Sequence, residues 1–253
     1  MLLVGDVGNT NTRVAVWEDG ELSPLSVSPT QQLEDCARVG ALAARAAGGE
    51  LGGTEVALCC VVPAVEAAWR EWAAGEGREL LLVRGDTDTP LQNRYHDRAR
   101  LGGDRLAAAV GAVRRFGAPV VVVSLGTATV VDAVSQHREF LGGAIAVGVQ
   151  TGLDALAEKT EALPRLEAGG TTDAVGGNTD ACLLSGAAHG TASLVEGLVE
   201  RMRENVGAGA RLVLTGGHAA LISQHLRAEH QVVPGLTLEG VAAVWEHNRG
   251  KSA

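Results

Sequence analysis

The chain has 253 residues, 46% hydrophobic, 20% charged and 3% aromatic, so it can pack a core of Ala, Val and Leu and is neither disordered nor a small disulfide scaffold. Its 21 basic and 30 acidic residues leave a formal charge of −9, which repels phosphate backbones and excludes nucleic acid as the expected partner. No apolar run reaches the roughly 18–20 residues of a membrane helix. The opening Met-Leu-Leu-Val-Gly-Asp lacks a basic n-region, so a soluble, cytoplasmic protein with no membrane partner is expected.

In chain order, the apolar residues 1–5 and the alternating 13–17 flank a glycine-containing turn and predict a β-hairpin. Glu18-Asp19-Gly20 is a second turn signal, and the Ala-rich 31–48 has helical spacing. Residues 55–62 read as a buried strand ending at Pro63, then a helix over 64–76 and a strand at 79–83. Gly102-Gly103-Asp104 precedes a helical stretch, 105–116, closed by Gly117 and Pro119. Val120 to Val123 suits a strand covered on both faces. Gly176-Gly177-Asn178-Thr179 opens a further helix, with Asn178 or Thr179 as its cap.

Asp6-Val7-Gly8-Asn9-Thr10-Asn11-Thr12 can be laid over Ser124-Leu125-Gly126-Thr127-Ala128-Thr129-Val130 at an offset of 118 positions. Each segment leaves an apolar strand, turns at a glycine, carries hydroxyls and enters a second strand. The spacing is too long for a solenoid repeat. It predicts two related α/β halves, residues 1–117 and 118–253.

Hairpin tips rich in Gly, Asn and Thr offer N–H groups and hydroxyls to phosphate oxygens, and an adjacent acid such as Asp6 can hold a cation or its waters. Two such tips would clamp a polyphosphate; ordinary turn chemistry explains Asp6 and Asn9 equally simply. There are two lysines, Lys159 and Lys251, and no Gly-x-Gly-x-x-Gly follows the first strand. Gly250-Lys251-Ser252 resembles a P-loop ending, but Trp245 stands where its first glycine belongs. Any ATP would be held through backbone, hydroxyls, carboxylates and metal. Asp104 reads either as a helix cap or as a general base, with Arg105 as an anion ligand at a helix start. Leu141-Gly142-Gly143 and Leu214-Thr215-Gly216-Gly217 are turns able to approach a nucleotide or to do nothing more than turn. Cys36, Cys59, Cys60 and Cys182 lack CxxC spacing, and Cys59 and Cys60 read as structural thiols on opposite strand faces. The seven histidines show no metal-ligand spacing.

Taken in order, these segments resemble the type III pantothenate kinases of the actin-like kinase superfamily. The matching pieces are Asp6 to Thr10, Val61-Val-Pro63, Tyr95 with Gly102-Gly-Asp-Arg105, Gly126 to Thr129 with Asp132, Leu141 to Ile145, Leu163-Pro164, Gly177-Asn-Thr179 with Ser185-Gly186, Leu214 to Gly217 and Leu236 to Gly240. The resemblance implies two RNase H-like domains related by internal duplication. It also implies transfer of the ATP γ-phosphate to pantothenate, the first committed step toward coenzyme A. By position, Asp6, Val7, Gly8, Asn9, Thr10, Asn11, Thr12 and Arg13 form the first phosphate hairpin, with Thr127, Gly216 and Gly217 as further ATP contacts. Asp104 becomes the base, and Tyr95, Gly102, Gly103, Arg105 and Thr179 hold pantothenate. Mg²⁺ accompanies ATP, with Asp6 as its protein ligand, and family members are homodimers.

Four positions depart from the family pattern. Ser124 replaces an Asp that binds K⁺ or NH₄⁺, which weakens that cation site. Val130 replaces a second Thr, and Arg98 and Val147 replace prolines. The alternative is a non-catalytic nucleotide-binding or regulatory relative: Ser124 favours it, and the joint presence of Asp6, Asp104 and Arg105 opposes it. A related kinase or phosphatase acting on another small acid is a third reading.

Overall fold

The computed structural model describes residues 1–49, 51–170 and 173–250; Lys251 and Ser252 of the P-loop-like ending lie outside them. The chain divides into two units, residues 1–115 with 235–253 and residues 116–234.

The first unit opens with β1 (Leu2–Val7), buried except at Asp6, and β2 (Asn11–Glu18), which pair antiparallel as expected. Asp19 and Gly20 both adopt positive φ, 51° and 87°, the geometry that turns a hairpin tightly into β3 (Glu21–Leu22). β4 (Ser26–Pro29) also pairs with β2. α1 (Cys36–Ala46) starts where Asp35 accepts the Arg38 N–H at 2.8 Å, five residues later than the Ala-rich stretch suggests. β5 (Glu55–Cys60) and β6 (Leu80–Val83) run parallel to β1, and Pro63 opens α2 (Pro63–Gly75) between them. Val39, Leu42, Trp69 and Trp72 from α1 and α2 pack with Leu3, Val14, Val56 and Leu58 of the sheet. The short β7 (Gln92–Asn93) and α3 (Gly103–Phe116) follow.

The second unit repeats this plan. β8 (Val120–Leu125) has the length and the burial pattern of β1, and pairs antiparallel with β9 (Ala128–Val134), which pairs with β10 (Glu139–Val147). α4 (Val149–Lys159), α5 (Thr179–Ser185) and α6 (Thr191–Val206) precede β11 (Arg211–Thr215), α7 (Ala219–Ser223) and β12 (Gln231–Val232). Asn178 caps α5, accepting the Ala181 N–H at 2.9 Å. β11 and β12 extend the sheet in parallel from β8, so the order β10-β9-β8-β11-β12 reproduces β3-β2-β1-β5-β6. Two mixed sheets of one topology are the RNase H-like duplication. The overlay needs one correction. Val7 pairs with Thr12 but Leu125 with Thr129, so the second turn is one residue shorter. Thr12 therefore corresponds to Thr129, and Val130 corresponds to Arg13.

The chain then returns to the first unit as α8 (Leu236–Arg249), which corrects the expected assignment of residues 118–253 to one domain. The physical reason is the apolar face of Leu238, Val241, Ala242 and Val244, which covers β1 and β5. Arg115 bonds Glu239 and Arg114 bonds Glu246, tying α3 to α8, and Trp17 Nε1 donates to the other Glu246 oxygen at 2.8 Å. The two helices cross with their backbones touching. A Cβ at Gly240 would strike the Ala107 carbonyl.

Gly240→Ala is expected to force these helices apart and lower the melting temperature by roughly 3–10 °C, the cost of overpacking about 1–3 kcal/mol. An unchanged melting temperature would show that the crossing has slack.

Candidate active site

Three parallel strands of the first unit end side by side, with Asp6 of β1 in register with Cys59 of β5, and Cys59 with Val83 of β6. Arg13 of β2 stands beside Asp6 on the other flank. Open α/β sheets bind ligands beyond such carboxyl ends, and α3 begins over this edge. Gly103 presses on the Val83 carbonyl, leaving no room for a Cβ. Because the helix starts at Gly103, Asp104 lies in its first turn, not at the cap position expected on turn chemistry.

This places two carboxylates in one electrostatic neighbourhood. Burial pushes the Asp6 carboxyl from 3.8 up to about 6, and the Asp104 charge adds to the rise. Arg13, with Nη1 4.0 Å from Asp6 Oδ2, and the Cys59 thiol, donating to Oδ1 at 3.4 Å, offset part of it. Burial raises Asp104 as well, against the Arg105 backbone N–H and guanidinium.

Arg105 is buried, with its guanidinium 5.4 Å from the centre of the Tyr95 ring. Asn93 holds the approach to Tyr95: its Nδ2 donates to the Gly85 carbonyl at 2.6 Å and its Oδ1 accepts the Tyr95 N–H at 2.9 Å. The structure therefore gathers Asp6, Arg13, Tyr95, Gly102, Gly103, Asp104 and Arg105 within one unit.

The tip of the first hairpin presents Asn9 and Thr10 to solvent, and the Gly8 N–H closes the turn on the Asn11 carbonyl at 3.2 Å. Val7 and Thr12 are fully buried, so only their backbones can face a ligand. Thr30 braces the tip, donating to the Gly8 carbonyl at 2.7 Å, with its Oγ1 3.1 Å from the Thr12 hydroxyl.

In the second unit Thr127 is exposed at the β8–β9 turn, and its carbonyl accepts the Gly148 N–H at 3.2 Å and the Thr151 hydroxyl at 2.8 Å. Gly216 has φ +98° and lies against the Leu125 backbone, where a Cβ has no space. Thr127, Gly216 and Gly217 thus cluster at the carboxyl ends of β8 and β11. Ser124 occupies the place in β8 that Asp6 holds in β1. Thr179 is exposed at the start of α5 and belongs to the second unit, whereas Tyr95 belongs to the first.

Three residues escape a reading of the sequence alone. Cys59 was expected to be a structural thiol, and the signal that it meets Asp6 is the β1–β5 register, which only strand pairing reveals. Thr30 bonds a loop 22 residues away, and Asn93 acts through backbone bonds inside the irregular segment between β6 and α3, which carries no periodic signal.

A family model described as type III pantothenate kinase matches residues 2–201. The type III pantothenate kinase of Roseiflexus sp. (strain RS-1) is 36% identical over 260 residues, covering 98% of this chain and 100% of that protein. That of Moorella thermoacetica is 34% identical over 253 residues at the same coverage. This chain belongs to the type III pantothenate kinase family. Among solved structures, the activator of the 2-hydroxyisocaproyl-CoA dehydratase from Clostridium difficile with bound ADPNP superposes at TM-score 0.59 and 11% identity, covering 99% of this chain and 97% of that one. Component A of the (R)-2-hydroxyglutaryl-CoA dehydratase from Acidaminococcus fermentans does so at 0.55 and 16%, covering 99% and 98%. These likenesses concern the fold alone.

For a type III pantothenate kinase, the donor set suits a hard divalent cation. Asp6 offers oxygen, and its carboxyl is destabilised as an anion by burial and by Asp104. Among the described residues no three His, Cys, Asp or Glu side chains converge on one metal position. Phosphate and water would complete the shell.

The sign of the Asp6 shift gives a test on the ligand-free protein. Its folded pKa of about 6 exceeds the ordinary 3.8, so its contribution to stability is greatest below 3.8 and is lost as pH rises through 6. Asp6→Asn stays neutral, so its stability advantage should grow between about pH 4 and pH 8, reaching roughly 2–3 kcal/mol and read as a widening gap in melting temperature. A gap constant across that range would show that Asp6 is not desolvated.

Proposed function

We propose that this chain transfers the γ-phosphoryl group of ATP to the hydroxyl of pantothenate, giving 4′-phosphopantothenate and ADP and opening the route to coenzyme A. The observation that carries this reading is a buried Asp6 carboxyl that feels the Asp104 charge, in the same unit as the Arg105–Tyr95 pair. Two desolvated carboxyls are costly in a passive scaffold, which counts against a non-catalytic relative. They are useful where a proton must leave a hydroxyl and a cation must be received.

In this reading Arg105 holds the pantothenate carboxylate, its guanidinium oriented by the Tyr95 face. Gly102 and Gly103 let the acceptor approach the backbone, and Thr179 of α5 adds a hydroxyl. Asp104 accepts the proton of the attacking hydroxyl as its oxygen bonds to the γ-phosphorus and ADP leaves. The raised pKa of Asp104 makes it a stronger base than an exposed aspartate. Gly8, Asn9, Thr10, Asn11 and Arg13 bind phosphate oxygens, with Val7 and Thr12 contributing backbone. Thr127, Gly216 and Gly217 bind the nucleotide from the second unit. Mg²⁺, held by Asp6 directly or through water, supplies charge neutralisation on the phosphates.

Ser124 has a hydroxyl where family members carry the aspartate of a monovalent-cation site, so the role of K⁺ or NH₄⁺ is weakened here. A homodimer is supported by β10, which exposes Leu141, Ile145 and Val147 on one face, the last two 63% and 59% exposed. No helix among the described residues is long and apolar enough to cross a membrane, which accords with work in the cytoplasm.

The direct test is ATP-dependent formation of 4′-phosphopantothenate, read as product mass with Mg²⁺ in K⁺, NH₄⁺ and Na⁺ buffers. Product in all three supports the reading with Ser124 relieving the cation requirement; folded, ATP-binding protein that makes none overturns it. Asp104→Asn should lower kcat by about 100-fold or more with little change in either KM, the scale of a lost general base; near-parental turnover would remove Asp104 from that role. Arg105→Ala should raise the KM for pantothenate at least tenfold, the worth of a charge-assisted bond of about 1.5–3 kcal/mol. An unmoved KM would place the acceptor carboxylate elsewhere.

A further inference from the structure

The segment between β6 and α3 carries Tyr95, and its internal bonds show how that ring is set. The Arg84 N–H bonds the Thr87 hydroxyl at 2.8 Å, and the Thr89 hydroxyl closes on the Leu91 carbonyl at 3.1 Å. Asn248 of α8 donates to the Asp88 carbonyl at 3.0 Å, pinning the middle of the segment to the helix that covers the sheet. Gly85 lies hard against the backbone of Arg98 and Leu101, so close that a Cβ could not be accommodated. Its carbonyl is therefore fixed relative to the residues that run straight into Gly102-Gly103-Asp104-Arg105.

Asn93 is 8% exposed and uses both ends of its amide here. Nδ2 takes the fixed Gly85 carbonyl at 2.6 Å, and Oδ1 receives the Tyr95 N–H at 2.9 Å. One planar amide thus spans from the base of α3 to the backbone of Tyr95, whose ring faces the Arg105 guanidinium. A buried amide bonded at both ends is rigid, because rotation would strand a donor and an acceptor away from water.

We infer that Asn93 is a positioning residue for the acceptor site, fixing the Tyr95 ring beside Arg105 and so setting affinity for the carboxylate-bearing substrate. The inference rests on the proposal that Tyr95 and Arg105 hold pantothenate. It makes acceptor affinity separable from nucleotide affinity, since Asn93 bonds neither the phosphate hairpin nor Asp6. It also connects that affinity to α8 through Asp88 and Asn248.

Tyr95 is the only tyrosine in the chain, which supplies a single-residue reporter. Protein labelled with ring-¹³C tyrosine should give one aromatic signal set that moves on titration with pantothenate. In Asn93→Leu, which removes both bonds at similar size, the signal should start from a different shift, and the titration midpoint should rise roughly tenfold, as for two lost buried hydrogen bonds. The KM for pantothenate should rise with it, while the KM for ATP and kcat hold. Asn93→Asp keeps the acceptor for Tyr95 but sets a carboxylate oxygen against the Gly85 carbonyl; it should raise the midpoint at least as far, and it serves alone should the Leu variant not fold. A variant midpoint equal to the parental one overturns the inference, as does an equal loss in kcat and both KM values, which would mark a general structural role. A parental signal that ignores pantothenate would overturn the placing of Tyr95 itself, and with it this inference.

Discussion

The site depends on how closely the start of α3 approaches the end of β6. Gly103 seats its backbone on the Val83 carbonyl, and that contact carries Asp104 to the row of strand ends where Asp6 stands. A larger residue at 103 would lift the helix by the width of a methyl group and move both Asp104 and Arg105 with it. Everything electrostatic follows from this approach: the loss of water around both carboxyls, the rise in their proton affinity and the use of Arg13 as partial compensation. A helix that began one turn away would leave two ordinary surface acids.

The two units show how one topology can be spent on different chemistry. Strands β1 and β8 match in length and burial, yet the partly exposed fifth position is Asp6 in one and Ser124 in the other. The threonine that follows each turn is buried in both, but Thr12 meets Thr30, whereas Thr129 Oγ1 finds no partner among the described residues. Opposite the central strand, Ala15 in β2 has its counterpart in the buried Asp132 of β9. The first unit concentrates anionic charge at its strand ends. The second concentrates glycine and backbone groups, suited to close approach by a nucleotide.

Much of this was legible in the residues. Apolar runs and turn residues located the hairpins, the helices read as 64–76 and 105–116 start one and two residues earlier, at Pro63 and Gly103, and the repeated strand-Gly-Thr pattern revealed the duplication. Three things were not legible, each for a physical reason. The return of α8 to the first unit depends on which sheet face lacks a cover, and helical periodicity says only that α8 has an apolar face. The one-residue slip between the hairpins lies in turn hydrogen bonds, Gly8 to Asn11 against Gly126 to Ala128, where composition is nearly silent. The contact of Cys59 with Asp6 follows from parallel register, a property of two strands separated by some fifty residues. Candidate site residues could be proposed from sequence where the pattern was local, as in Gly102 to Arg105, and not where a side chain acts by bonding an irregular backbone, as with Asn93 and Thr30.

The arrangement also bears on how ligand binding and stability are linked. A ligand-free protein that buries Asp6 and Asp104 gives up stability near neutral pH, because both anions are shielded from water and the Asp104 charge adds to the cost at Asp6. Under the proposed function, a cation arriving with the nucleotide phosphates would reverse that sign. The same proximity then attracts, and any ligand that binds only the folded chain stabilises it by mass action. The strain of the empty site and the affinity of the filled one are thus two sides of one electrostatic term. It acts on Asp6 directly, whereas Arg105 and Tyr95 are held by packing and by the Asn93 amide, which carry no net charge to be neutralised. Within the first unit, then, the Asp6 side of the candidate site is governed by electrostatics and the Tyr95 side by preorganisation.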